Sequence, residues 1–78
     1  MRYLVVIERA RRNYSAYVPD LPGCVATGAT AAAARKAIQG AIEFHIQGLR
    51  EDGLPVPKPS ARSAQIPVKG GRKAKSAA

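Results

Sequence analysis

The 78-residue sequence is short of almost everything that reactive or covalently stapled proteins rely on. It holds one cysteine, Cys24, and one histidine, His45. A lone thiol cannot pair within the chain, which excludes a disulfide-rich module. Two such ligands also fall short of the roughly four that a structural zinc site takes. Acidic residues number five against 13 basic ones. Metal-dependent nucleases gather several carboxylates around two divalent ions, whereas Glu8, Asp20, Glu43, Glu51 and Asp52 are scattered and the apolar middle of the first strand carries none. No glycine loop suited to phosphate is present: Gly28 stands alone, and Gly70-Gly71 has no strand–loop–helix context. The longest run of large apolar residues, Tyr3 to Ile7, is far below the roughly 20 residues of a membrane span. It is also too short for a signal-peptide core, so a cytoplasmic setting is expected.

A nucleophilic site needs a nucleophile, a base and an orienting group. Cys24 and His45 are the only thiol and imidazole available. Cys24 reads as a small hydrophobe after a tight turn, and His45 as a side chain on the edge of an apolar stripe that reaches for solvent. The expectation is a protein without catalytic residues, metal or cofactor.

What is present is a pattern of short strands and one strong helix. Residues 2–8 form a continuous β-branched and aromatic run, which predicts a strand apolar on both faces. After a polar turn at 9–13, residues 14–18 form a second strand with Tyr14, Ala16 and Val18 on one face and Ser15 and Tyr17 on the other. A hairpin is the simplest pairing. Pro19-Asp20-Leu21-Pro22-Gly23 breaks the ladder, since two prolines remove donors and the glycine accepts positive φ. Residues 24–27 give a third strand. Thr30 is a good helix N-cap, and an alanine run follows. Ile38, Ile42, Ile46 and Leu49 then trace one helical face, widened by Ala34, Ala37, Ala41 and His45. Gly40 and Gly48 weaken the helix and are expected to permit close packing on the sheet. Gly53 is the natural left-handed cap.

Alternating prolines at 54–60 forbid a helix, and residues 63–68 are expected to form a last edge strand parallel to the third. The predicted architecture is a two-layer α+β sandwich in the order β-β-β-α-β, with one helix on a small mixed sheet. One domain is expected over residues 1–68, followed by a basic, disordered tail at 69–78. Such a small domain buries only about 60% of its unfolded surface. One helix cannot cover both faces of the first strand, so self-association is expected, most simply a dimer through a sheet edge or the uncovered sheet face.

Charge adds a second theme. Residues 1–68 hold nine basic and five acidic residues; residues 69–78 hold four basic and none acidic, so half of the net +8 sits in the last ten residues. Arg9, Arg11 and Arg12 in the first turn, with Arg72, Lys73 and Lys75 in the tail, form a candidate for non-specific phosphate contact. The competing reading is a solvated turn and a solubilising terminus. Tyr14 and Tyr17 face opposite sides of their strand and make a poor stacking platform for bases.

The run from Tyr14 to Cys24, with Pro19-Asp20-Leu21-Pro22-Gly23 at its centre, resembles the HicB antitoxins of bacterial HicA–HicB toxin–antitoxin systems. So do Gly28, Thr30, the amphipathic helix to Leu49, and Glu51-Asp52-Gly53-Leu54-Pro55-Val56-Pro57. The resemblance covers roughly residues 1–60. It implies a partial RNase H-like sandwich without the nuclease carboxylates. It also implies a non-catalytic protein that binds and neutralises HicA, a small mRNA-cleaving toxin, and that commonly forms dimers or tetramers. Asp20, Leu21 and Pro22 are then the candidate partner-binding residues. Many relatives carry a C-terminal DNA-binding segment that represses their own operon; here a short basic tail stands in that place. Relatives often place acidic residues after the helix-capping threonine, where this chain has Ala31 to Ala34 and then Arg35-Lys36. Either toxin binding would accordingly rest more on apolar contact, or this member is a solitary one.

Overall fold

The computed structural model describes residues 1–69. The tail expected at 69–78, with Arg72, Lys73 and Lys75, lies outside the described residues except for Lys69. Strand β1 (Val6–Arg9) is followed by β2 (Tyr14–Tyr17), β3 (Val25–Gly28) and helix α1 (Ala31–Glu51). The strands make one antiparallel sheet in the order β1-β2-β3, and the helix covers one of its faces. The unit is an α+β fold of two layers.

Residues 2–5 of the first apolar run lie outside β1. The ladder ends where Val6 faces Tyr17, and Tyr17 in turn faces Val25. Beyond that row β2 gives way to the turn at Val18, so residues 2–5 have no straight neighbour to bond. Tyr3 and Val5 still pack against the core. The expected strand at 63–68 is also absent: these residues carry no regular secondary structure, so the sheet is purely antiparallel rather than mixed. Pro67 cannot donate to a ladder, and no strand of the same chain runs beside them.

The helix begins and ends where its capping residues dictate. The Thr30 hydroxyl accepts a hydrogen bond from the Ala33 backbone N–H at 3.0 Å. At the far end Gly53 has φ +70°, its N–H donates to the Arg50 carbonyl, and the Leu54 N–H donates to the Leu49 carbonyl. This pair of bonds is a Schellman cap, which glycine at the left-handed position permits.

Small residues bring α1 close. Ala16 and Ala26 stand opposite each other on the covered face, with Gly28 in the next row opposite Tyr14. A Cβ on Gly28 would lie 2.6 Å from the Ala33 carbonyl carbon and 2.9 Å from its Cβ, and would overlap the Ala34 nitrogen. Gly40 and Gly48 do not serve this purpose. Nothing lies within 4 Å of where their Cβ atoms would stand, because both face away from the sheet. Ala37 is likewise exposed. The buried core is Ala16, Val18, Leu21, Cys24, Ala34 and Ile38, with Ala41, Ile42 and Ile46 packed partly against it. Cys24 is among these residues, and burial pushes its thiol up from the usual value.

The two kinds of glycine make opposite predictions. Gly28→Ala should destabilise the fold by about 2–3 kcal/mol, because helix backbone cannot move aside as a side chain can. Gly40→Ala should stabilise it by up to about 1 kcal/mol through helix propensity alone. Urea unfolding of the two variants checks both signs.

Candidate partner-binding surface

The sequence between β2 and β3 folds into two successive turns. The Leu21 N–H donates to the Val18 carbonyl at 3.1 Å, and the Cys24 N–H donates to the Leu21 carbonyl at 3.0 Å. Pro19 supplies the fixed φ of the first turn. Pro22 and Gly23 supply the second, where Gly23 has φ +83° as the third position of a type II turn requires. The Val18 N–H closes the base by donating to the Cys24 carbonyl. Leu21, shared by both turns, is fully buried.

Asp20 points the other way. Its carboxylate accepts hydrogen bonds from the Ser60 N–H at 2.8 Å, the Ser60 hydroxyl at 2.8 Å and the Ala61 N–H at 3.0 Å. The Tyr3 hydroxyl donates to the Pro57 carbonyl. The proline-rich segment after α1 is therefore fastened at two points, beside the start of β1 and at the β2–β3 turn. The Ala61 and Ser60 backbone bonds, then the Ser60 hydroxyl, hold the Asp20 carboxyl below the usual aspartate range.

Of the three candidate partner residues, then, Leu21 offers no surface, Asp20 is occupied by the chain's own segment, and Pro22 is exposed. Their neighbourhood is better supplied. The sheet face opposite α1 carries Val6, Tyr17 and Val25 in one row across all three strands. Tyr17 is 39% exposed and Val25 65%. This row borders the turn that holds Pro22, and the next row, Glu8, Ser15 and Thr27, is polar. Sequence reading placed Tyr17 on the face opposite Ala16 but did not single out Val25, whose exposure follows from its register with Tyr17. It also passed over Phe44. That residue follows Ile42 by two positions, lies about 200° round the helix from it, and is 80% exposed.

The charges divide by end. Arg9, Arg11 and Arg12 are exposed at the β1–β2 turn, which the Ala10 N–H closes by donating to the Asn13 carbonyl. That turn lies at the same end of the sheet as the start of α1, where no acid occupies the first turn and Arg35 and Lys36 follow. Five basic residues and one acid, Glu8, gather there. The other four bases and four acids of residues 1–68 balance in number. Among the described residues no group of three histidine, cysteine, aspartate or glutamate side chains could hold a metal ion. No helix among them is long and apolar enough to cross a membrane.

Over residues 3–68 the chain matches the family described as the HicB-like antitoxin of bacterial toxin-antitoxin systems. The chain belongs to that family. It is also 41% identical over 58 residues to an uncharacterised 14.9 kDa protein from the rep-hol intergenic region of Haemophilus phage HP1. That match covers 74% of this chain and 44% of the phage protein, so the chain spans less than half of its relative's length.

The Asp20 fastening should depend on pH with a definite sign. A carboxyl whose folded pKa is depressed stabilises the fold above its ordinary pKa of about 3.9, and that stability is lost as pH falls through this value to the lower folded one. Hydrogen exchange at the Ser60 and Ala61 amides should be slow at pH 6 and accelerate, relative to intrinsic rates, below about pH 4. Asp20→Ala should abolish the protection at both pH values.

Proposed function

We propose that the protein acts as an antitoxin that neutralises a small HicA-type, mRNA-cleaving toxin by direct complex formation in the cytoplasm, with no catalysis of its own. Membership of the HicB-like antitoxin family over residues 3–68 carries this reading. On this reading the toxin would dock on the open sheet face, where Tyr17, Val25 and Pro22 supply an apolar patch bordered by the polar row of Glu8, Ser15 and Thr27. Family likeness and the helix-on-sheet arrangement also support reading the unit as a partial RNase H-like sandwich. Val6 and Ile7, in the middle of the first apolar run, bring no carboxylate to it, in keeping with a non-catalytic role.

A second reading is favoured by the concentration of charge. Arg9, Arg11 and Arg12, with Arg35 and Lys36, present five cations at one end, to which the tail residues Arg72, Lys73 and Lys75 would add. These suit non-specific contact with phosphates. Such contact would lie at the end of the sheet remote from Pro22 and need not compete with a toxin. The protein is further read as a homo-oligomer, because both edges of its three-stranded sheet are left without a neighbour.

The test is co-expression with a HicA-type toxin. Tyr17→Asp and Val25→Asp should each weaken the complex by about 2 kcal/mol or more, roughly 30-fold, as central apolar contacts do. Growth protection should fall with them. Loss of protection in Phe44→Ser, with Tyr17→Asp harmless, would move the toxin to the helix. Replacing Arg9, Arg11 and Arg12 by serine should leave protection intact and flatten the salt dependence of any duplex binding by about 3 in log–log slope.

A further inference from the structure

Two parts of the molecule lack partners of the kind their chemistry calls for. The first is the free edge of β1, which pairs with β2 alone. The helix sits over β3 and β2 more than over β1. An open groove of about 480 Å³ runs between α1 and the chain that leads into β1, lined by Arg2, Tyr3, Val5, Arg35, Gln39 and Ile42. Ile7 stands opposite the buried Ala16, hence on the groove side, and is 37% exposed.

The second is the segment 63–68. Ile66 is 77% exposed and Val68 75%. In an extended chain Ala64, Ile66 and Val68 share one face, and Ser63, Gln65 and Pro67 the other. Backbone polar groups alternate in the same way. The N–H and C=O groups of Ala64, Ile66 and Val68 point to one edge, and Pro67, which has no N–H, belongs to the opposite edge. A strand with proline on its outer edge is the form in which proline is accepted in sheets. The segment thus has one complete bonding edge and one apolar face, and in its own chain it uses neither.

Its own β1 is out of reach. The chain passes the start of β1 at Pro57 and is then fastened by Ser60 and Ala61 to Asp20, in the turn between β2 and β3. A strand outside β1 would stand two inter-strand spacings from β2, about 10 Å. The three residue steps from Ala61 to Ala64 span about 10–11 Å fully extended, which leaves nothing for the reversal of direction.

We propose that residues 63–68 of one copy add to the free edge of β1 in a second copy, laying Ile66 and Val68 into the groove beside α1. The exchange is reciprocal, so a pair of copies closes with two such junctions. This rests on the homo-oligomer reading and supplies its contact.

The test uses the full chain. Sedimentation should show a dimer. Ile66→Asp should raise its dissociation constant at least tenfold with far-UV circular dichroism unchanged, since Ile66 is 77% exposed in its own subunit. Gln65→Asp, on the outward face, should leave the constant unaltered. Hydrogen exchange of the Val5 to Arg9 amides that do not face β2 should be slow in the dimer and fast in Ile66→Asp. Mixing Ile66→Asp with Ile7→Asp should restore one junction and recover dimers that neither variant forms alone. A dimer that Ile66→Asp leaves intact would overturn the strand exchange while keeping the oligomer. A wild-type monomer at every concentration overturns both. A monomer whose β1 protection still depends on Ile66 shows pairing within one chain and overturns the exchange.

Discussion

The fold depends on the insertion of Leu21 between sheet and helix. Two fused turns, built on Pro19 and on Pro22-Gly23, leave the chain no alternative but to aim the side chain between them inward. Leu21 and Ile38 are the two largest fully buried side chains. One comes from the turn and one from the helix, and both belong to the single core cluster that joins α1 to the sheet. Burial of two such side chains is worth about 1.5–3 kcal/mol each, which is a large share for so small a domain. Asp20, next in sequence, uses its outward direction to capture Ser60 and Ala61. A single five-residue stretch thus sets the helix on one side and the exit path of the chain on the other.

Because the remaining core residues are small, the helix lies low over β2 and β3. The geometry has two costs. The helix, about 31 Å long at 1.5 Å per residue, overruns four-residue strands of about 13 Å, so Ile42 and Ile46 are covered only in part. The sheet, too, is covered on one face and closed at neither edge. A domain of this size cannot bury enough surface to be indifferent to that. The open apolar row on the far face and the unpaired edge of β1 are consequences of one economy in the core, and each suits an association of a different kind.

The local features were legible in the sequence. Thr30, Gly53, the prolines with Gly23, and the isoleucine spacing each act within four or five residues, and each does in the structure what its chemistry requires. The same holds for the two faces of β2. What escaped the sequence depends on tertiary placement. Gly40 and Gly48 read as packing glycines because periodicity alone does not say how far round the helix the sheet extends. Residues 2–5 read as strand because their composition is right, but a strand needs a neighbour, and the turn at Val18 removes it. Residues 63–68 failed in the same way. Pro22 is exposed beside the candidate surface, whereas Val25 was not singled out, since its exposure follows from register with Tyr17. Leu21 was assigned to a partner although it belongs to the core, because a motif is read without knowing which of its side chains turn inward.

The distribution of charge separates the two surfaces further. Helices usually place acids at their start, where the macrodipole favours them by about 0.3–1 kcal/mol each. Here α1 begins with four alanines and continues with Arg35 and Lys36, while Glu51 and Asp52 stand at its end, partly offset by Arg50. Helix stability does not account for this order. Its effect is to add the positive end of the helix to the arginines of the β1–β2 turn. The half of the molecule around Pro22 is left near neutrality. Association with an apolar face in a near-neutral setting gains little electrostatic steering, so its strength must come from slow dissociation of well-packed contacts. Contact at the cationic end follows the opposite rule, being fast, weak and sensitive to salt. The two ends of the domain therefore differ in charge and in apolar exposure, and the associations proposed for them differ in kind as well as in position.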